Sequence, residues 1–395
     1  MIDLTHTQLN NLRWKLLLII VLFISPVLAS CAPEKRIGPS MVYDPIDKRI
    51  LLFGGAHWQN RYTFYDELWS YEYETNTWTM LETNNNPDPR FNSMLVYIPG
   101  RHQLFLFGGF SADDRIADTW IFDFESNKWT ELHPNTQPSP RSDSSIAYDP
   151  KNDVVVLYSG YLLNDTNLQD TWIYSFDDEN WIEQNPENPP LGQYGNYMVY
   201  VESTGQLLMY PGHWSVYSNG ERVSHGFGGN LWEYDVENDL WIEHSSTITP
   251  PGRYWGSLVY DSTEDRLILF GGHGAADYDD TWNYSVVDGV WEKVEQSVKP
   301  SKRSSIGVVY DPDNHVVVLF GGFSEARQSL GDTWVLDCET LTWNQPELIT
   351  TSEVPEEENQ NTFIPGFPVW SAVLAVLVYY INRQHTQTEI KIDNP

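Results

Sequence analysis

The sequence predicts an all-β protein whose middle is six copies of one unit. Three observations carry that reading. A pair of tryptophans nine residues apart recurs six times: Trp69/Trp78, Trp120/Trp129, Trp172/Trp181, Trp232/Trp241, Trp282/Trp291 and Trp334/Trp343. A short apolar run ending in glycine precedes each pair, as in Ile50-Leu51-Leu52-Phe53-Gly54-Gly55. A tyrosine stands 12 residues before the last glycine in every copy: Tyr43, Tyr97, Tyr148, Tyr200, Tyr260 and Tyr310. Self-similarity at a fixed period marks units that bury their apolar faces against one another.

Seven residues before the tyrosine stands Arg36, Arg90, Arg141, Gln193, Arg253 or Arg303. With the diglycine after a strand, the spaced aromatic pair and the Pro-x-Arg that opens most units, residues 36–346 resemble the kelch-repeat β-propeller family. That resemblance implies a six-bladed propeller of four-stranded antiparallel blades, strands A to D, with A nearest the axis.

The residues agree, element by element. Asp44-Pro45, Asp149-Pro150 and Asp311-Pro312 supply turn chemistry between A and B. Strand B is a continuous apolar run, such as Val154-Val155-Val156-Leu157, suited to burial on both faces. The glycine after it permits a positive φ or a close backbone approach. Glu74-Thr75-Asn76-Thr77 and Asp177-Asp178-Glu179-Asn180 punctuate C and D. Within 36–346 no stretch keeps a helical period. Each unit begins with A and ends with D, so the ring should close without a swapped strand, on side-chain packing alone.

Only the stretch between the last glycine and the first tryptophan varies in length, which places all variation in the B–C connection. Loops held by a rigid scaffold carry function. Propeller topology puts B–C and D–A connections on one face. Trp58 and Trp214 lie in B–C segments and Trp255 follows a D–A connection. His57, His213, His225 and His273 occupy B–C segments too, and Arg61, Arg115, Arg222 and Arg327 are the only cations there. Ligand contacts are therefore expected from Trp58, His57, Trp214, His213, Arg222, Trp255 and His273. The longest B–C segment, 213–231, with Gly220, Gly226, Gly228 and Gly229, reads as a flexible lid. Trp58, Trp214 and Trp255 are expected to line one concavity.

A second comparison of the units concerns charge. Two residues before the first tryptophan stand Glu67, Asp118, Asp170, Asn230, Asp280 and Asp332. The copy with Asn230 is the copy with Gln193, so charge is lost at both positions together. The expected pairs are Arg36–Glu67, Arg90–Asp118, Arg141–Asp170, Arg253–Asp280 and Arg303–Asp332, with structural rather than catalytic roles.

The ends read differently from the middle. Residues 1–31 have Arg13 and Lys15 before the apolar run Leu16–Ile24, then Leu28-Ala29-Ser30-Cys31. This suits a signal peptide, with lipidation at Cys31, ordinary cleavage after Ala29 or an uncleaved anchor as alternatives. Residues 347–362 form an acidic stalk. The span 363–382, uncharged from Phe363 to Ile381, is long enough for a transmembrane helix, and 383–395 is a short tail. Pro365-Gly366-Phe367 resembles the sorting signal of archaeal surface proteins. The expectation is an exported, extracytoplasmic chain anchored to the cytoplasmic membrane through one or both termini.

The chain of 395 residues carries 23 Lys and Arg against 55 Asp and Glu, a net charge of −32. A nucleic-acid role would need a basic footprint and is excluded. Two cysteines exclude a disulfide scaffold and a thiolate zinc cluster. Galactose oxidase resembles this architecture, but its copper set needs a Tyr–Cys crosslink. Cys338, the one cysteine of the propeller, lies in a C–D connection on the other face. Nucleophile elbows, phosphate loops and an acid/base pair at the channel mouth are not evident, so no catalytic residue, metal or cofactor is expected. The reading is a surface-displayed binding module for a protein or glycan ligand. A carbohydrate-active enzyme, either an epimerase or an oxidase, and a structural envelope component are the alternatives. The oligomeric state is not legible.

Overall fold

The computed structural model describes residues 32–162, 167–218 and 221–346. Six antiparallel sheets follow one another along the chain, five of them four-stranded and the sixth extended to five strands by Arg303–Ser304. Blade 1 is Ser40–Asp44, Arg49–Phe53, Leu68–Glu72 and Thr77–Leu81, and blade 2 is Met94–Ile98, Gln103–Phe110, Arg115–Asp123 and Lys128–Leu132. Blade 3 is Ser145–Asp149, Val154–Tyr158, Thr171–Ser175 and Asn180–Gln184, and blade 4 is Tyr197–Val201, Gln206–Tyr210, Leu231–Asp235 and Leu240–His244. Blade 5 is Ser257–Asp261, Arg266–Phe270, Thr281–Ser285 and Val290–Val294, and blade 6 is Gly307–Asp311, Val316–Ser324, Ser329–Asp337 and Thr342–Asn344. Each A strand neighbours the A strand of the next blade, and that of blade 6 neighbours that of blade 1, so the ring is closed. No strand is exchanged between first and last blades. The anchor segments expected at 1–31 and 363–382 lie outside the described residues. Among the described residues no helix is long and apolar enough to cross a membrane.

The core is six clusters, one per blade interface. Strand B fills each from both sides: Ile50 and Leu52 face blade 6, while Leu51 and Phe53 face blade 2. Alternation along a fully buried strand does this, because successive side chains point to opposite faces. The second tryptophan of each pair is buried in all six blades. In four of them its indole N–H reaches a threonine of the preceding blade: Trp78 to Thr333, Trp181 to Thr119, Trp241 to Thr171 and Trp343 to Thr281, at 2.9–3.1 Å. Blades 1 and 4 have Leu68 and Leu231 at the threonine position, and Trp129, which follows Leu68, has an unpartnered Nε1.

Buried arginines tie five of the six blades to their loops. Arg90 Nη1 and Nη2 meet both carboxylate oxygens of Asp118 at 2.6 and 2.8 Å, Nη1 also donates to the Gly108 carbonyl, and Nε to the Asp88 carbonyl. Arg141–Asp170, Arg253–Asp280 and Arg303–Asp332 repeat this fork. The same aspartates accept the indole N–H of Trp120, Trp172, Trp282 and Trp334. Blade 1 has glutamate instead. Its extra methylene leaves a single Arg36–Glu67 contact of 3.4 Å and an unpartnered Trp69 Nε1. In blade 4, Gln193 Oε1 accepts from the Gly212 N–H, and Asn230 turns to Glu243.

The ring does not close on side chains alone, contrary to expectation. The backbone of four of the five arginines forms a two-bond clip with the preceding blade. Arg90 N–H donates to the Tyr65 carbonyl and its own carbonyl accepts from Gly55 N–H. The clip recurs at Arg141 and Arg303, and at the closing seam Arg36 N–H meets the Leu330 carbonyl while Gly322 N–H meets the Arg36 carbonyl. Sequence spacing shows where strands sit, but not that a loop approaches closely enough to pair as backbone.

The fork makes two opposite predictions. Asp118→Asn strands a guanidinium that is 0 % exposed and should cost about 3 kcal/mol in urea unfolding. Glu67→Asp should restore the fork and the Trp69 bond and add about 0.5–1 kcal/mol. Equal effects of the two changes would contradict the account.

Candidate functional site

The mouth of the channel on the B–C face is built two residues beyond the arginine position. Gly38, Asn92, Asp143, Gly195, Trp255 and Ser305 all have φ between 49° and 65°. Each N–H donates to the carbonyl of its counterpart in a neighbouring blade. Asn92 meets Gly38, Asp143 meets Asn92, Gly195 meets Asp143, Trp255 meets Gly195, Ser305 meets Trp255 and Gly38 meets Ser305, at 2.6–3.3 Å. The six bonds form a closed circle. Glycine, asparagine and aspartate tolerate the left-handed region, and they fill four of the six places; Trp255 and Ser305 do not advertise it. Beneath lies a cavity of about 220 Å³, polar near the ring through Ser93, Ser144 and Asn196 and apolar deeper, at Met41, Leu95 and Met198.

Trp255 lines this cavity and donates its indole N–H to Asp143 at 2.7 Å. Asn92 Nδ2 and Ser142 Oγ donate to the same carboxylate. Burial pushes Asp143 above the usual carboxylate range, while Ser142, Trp255, Arg115 and Asn92 oppose the shift. It is the one carboxylate in the ring. Sequence reasoning passed over it because Asp143 sits in a D–A connection of constant length.

Around the mouth runs an aromatic belt. Trp58 packs on Tyr62 at 4.6 Å, Tyr62 on Phe91, and Phe91 on Phe110. The Arg115 guanidinium lies over Phe110 and Tyr161, 5.1 and 4.6 Å from the ring centres. Tyr161 meets Tyr194, which meets His213 and Tyr254. Tyr254 then touches Trp255, Phe227 and His273. The belt thus runs from blade 1 to blade 5. Phe91, Tyr194 and Tyr254 follow the arginine position, and Phe110, Tyr161, His213 and His273 follow the last glycine. The two sets pair across short β-bridges or strand pairs. These fixed offsets were the available signal.

The expected ligand residues are divided between the two ends of the belt. His213, Trp255 and His273 gather around Tyr254, while His57 and Trp58 belong to blade 1, where Trp58 N–H donates to Ser329 of blade 6. Trp58 and Trp214 are half-buried, and neither lines the central cavity, which of the three tryptophans takes only Trp255. The segment expected to be a flexible lid is a bulged hairpin, His213–Ser218 against Glu221–Phe227, with a register shift between Val216 and Tyr217, joined to Gln193–Tyr194. Gly226 serves packing there: a Cβ on it would meet the Trp214 ring at 2.7 Å. Arg222 is exposed on this hairpin.

Two clusters, Asp261/His315/Cys338 and Asp44/Asp47/His102, place three possible metal-ligand atoms together on the A–B face. In each, an arginine already pairs with the buried aspartate, Arg266 with Asp261 and Arg49 with Asp44. A guanidinium on the would-be ligand oxygen opposes a cation, and the Asp–His contact reads as a bond between neighbouring blades. Turn N–H groups also cap these aspartates. Burial pushes the Cys338 thiol up to about 12, which makes it unreactive.

This geometry belongs to the kelch-repeat family. A family model described as the KLHDC2/KLHL20/DRC7 kelch-repeats domain matches residues 2–212 and 133–301, and the chain is a member. It is similar to the flagellar outer-arm dynein alpha chain of Chlamydomonas reinhardtii, 24% identical over 68% of this chain and 6% of that one. It is also similar to an F-box/kelch-repeat protein of Arabidopsis thaliana, 26% identical over 59% of this chain and 46% of that one. A third is kelch domain-containing protein 10 of Xenopus laevis, 23% identical over 61% of this chain and 60% of that one. The chain thus spans less than two thirds of each of these relatives.

His213 gives a pH prediction. Burial, then His225 and Arg222, lowers its imidazole to about 4. The fold therefore favours neutral His213, and the stabilisation present above pH ~6.5 is lost as pH falls toward 4. His213→Gln should flatten that part of the stability profile relative to wild type; an unchanged slope would refute it.

Proposed function

We propose that the propeller is a protein-binding module and that the B–C face is its binding surface. The observation that carries this reading is the belt of aromatic and histidine side chains around the mouth, reached from five blades and rimmed by projecting hairpins. Tyr and Trp offer rigid, amphipathic contact area of the kind that dominates protein interfaces. The Arabidopsis relative, an F-box/kelch-repeat protein by name, fits a propeller used as one part of a larger assembly. We further propose that the chain is exported and held at the cytoplasmic membrane by the Cys31 segment, the 363–382 span or both. A glycan is the second reading, supported by the half-exposed indoles of Trp58 and Trp214, since flat rings stack on sugar faces.

The test is capture from cell-surface extracts and on a glycan panel with the full chain, beside Trp58→Ala/Trp214→Ala. A true contact surface should lose about tenfold or more in retention of its ligand, at nearly unchanged melting temperature. Retention of the same partners by the double variant would reject the face. Turnover of a captured sugar would move the assignment to an enzyme.

A further inference from the structure

Eight of the twelve arginines among the described residues form an ion pair with another blade element or turn: Arg36, Arg49, Arg90, Arg101, Arg141, Arg253, Arg266 and Arg303. In a chain of net charge −32 this is the expected state, because 55 acids face 23 Lys and Arg. The other four are Arg61, Arg115, Arg222 and Arg327, one on each of four hairpins described on the B–C face. These hairpins are Ala56–Gln59/Arg61–Phe64, the ends of Gln103–Phe110/Arg115–Asp123, His213–Ser218/Glu221–Phe227 and the ends of Val316–Ser324/Ser329–Asp337.

Arg61, Arg222 and Arg327 are exposed and have no ion-pair partner among the described residues. Acids stand near them and are not used. Glu221 adjoins Arg222 without pairing with it, and Glu325, two residues from Arg327, lies near Lys302 instead, at 3.7 Å. Arg115 is held between the Phe110 and Tyr161 rings, only 3.9 Å from its own neighbour Asp114, with an unpartnered, buried Nε. Apolar side chains are exposed on the same tips: Tyr62, Val216 and Val223, the last at 59 %.

We infer that the hairpin tips receive an acidic polypeptide segment with interspersed apolar residues, its carboxylates on Arg61, Arg222 and Arg327 and its apolar side chains on Tyr62, Val216 and Val223. Charge complementarity selects this occupant. A net-acidic protein repels anionic chains over most of its surface, so exposed arginines without a paired acid dictate where and how such a partner lands. Arg61 and Arg327 are on adjacent blades and Arg222 is on blade 4, so the segment crosses the mouth. The inference rests on the B–C face being the binding surface and names the partner chemistry for it.

The probe is a fluorescein-labelled peptide repeating Glu-Ser-Leu, compared by anisotropy with peptides carrying Gln or Lys in place of Glu, on the full chain. The Glu peptide should bind about tenfold tighter than the Gln peptide and weaken as salt is raised. Arg61→Gln/Arg222→Gln/Arg327→Gln should erase that tenfold margin without lowering the melting temperature, since all three side chains are exposed. Absence of Glu-peptide binding, equal or tighter binding of the Lys peptide, or an unaffected triple variant overturns the inference. If the Gln peptide binds as well as the Glu peptide, and Trp58→Ala/Trp214→Ala alone releases it, the face stands and the acidic partner falls.

Discussion

The buried arginine at the head of five of the six blades is the constraint on which the architecture depends. A guanidinium with almost no exposure must find acceptors for all its donors, since an unpaired buried charge costs several kcal/mol. Four blades meet that demand in one way, with a bidentate aspartate, a carbonyl after strand B and a carbonyl two residues upstream. Those three groups belong to the B–C connection, the end of strand B and the D–A connection. Satisfying one side chain therefore fixes the D–A and B–C connections at that blade relative to each other. The diglycine is the other half of the device. At Gly54, φ is +65° and a Cβ would lie 2.6 Å from the Arg90 carbonyl, so the next blade can approach only because no side chain is there.

In blade 4 the device is relaxed. Gln193, Pro211 and Asn230 replace the arginine, the first glycine and the aspartate. The two-bond clip seen at the other arginines is not among the described hydrogen bonds of Arg253, and the seam to blade 5 uses other contacts. Phe227 stacks on Tyr254, Gly252 lies against Phe227, and Tyr210 donates to the Pro250 carbonyl. Buried polar atoms without a partner gather here as well: Gln193 Nε2, Asn196 Oδ1, Tyr197 Oη and His213 Nδ1. The longest projecting hairpin rises from this blade. Regularity is kept where blades must interlock and given up where the surface diversifies, the usual division between scaffold and recognition loop.

The mouth combines both tendencies. Its circle of six backbone bonds is as regular as the blades, whereas its side chains are nearly all different. Trp255 illustrates the trade. A bulky residue held at φ 57° is strained, and its indole bond to Asp143 helps to hold it there. Gly195 leaves the room: a Cβ there would lie 3.0 Å from the Trp255 ring.

By itself the sequence determined the number of blades, the order of strands, the buried B strands, the face on which variation collects and the partners of the buried arginines. Period, turn chemistry and apolar runs are local properties, and six copies act as an alignment: the joint appearance of Gln193 and Asn230 exposes the Arg–Asp pair without coordinates. Only the tertiary structure decided what passes between copies. The closing backbone bonds, the circle of left-handed residues, the Asp143–Trp255 contact and the continuity of the belt join residues as far apart as Arg36 and Leu330. The folding of 213–227 into a hairpin was hidden for a different reason. Its glycines read as flexible, but at Gly226 and Gly228 the missing side chain is used for close packing, against Trp214 and Pro211. Spacing reports what a unit repeats; which side chains meet across the mouth depends on how six units curve into a ring, and no single unit carries that information.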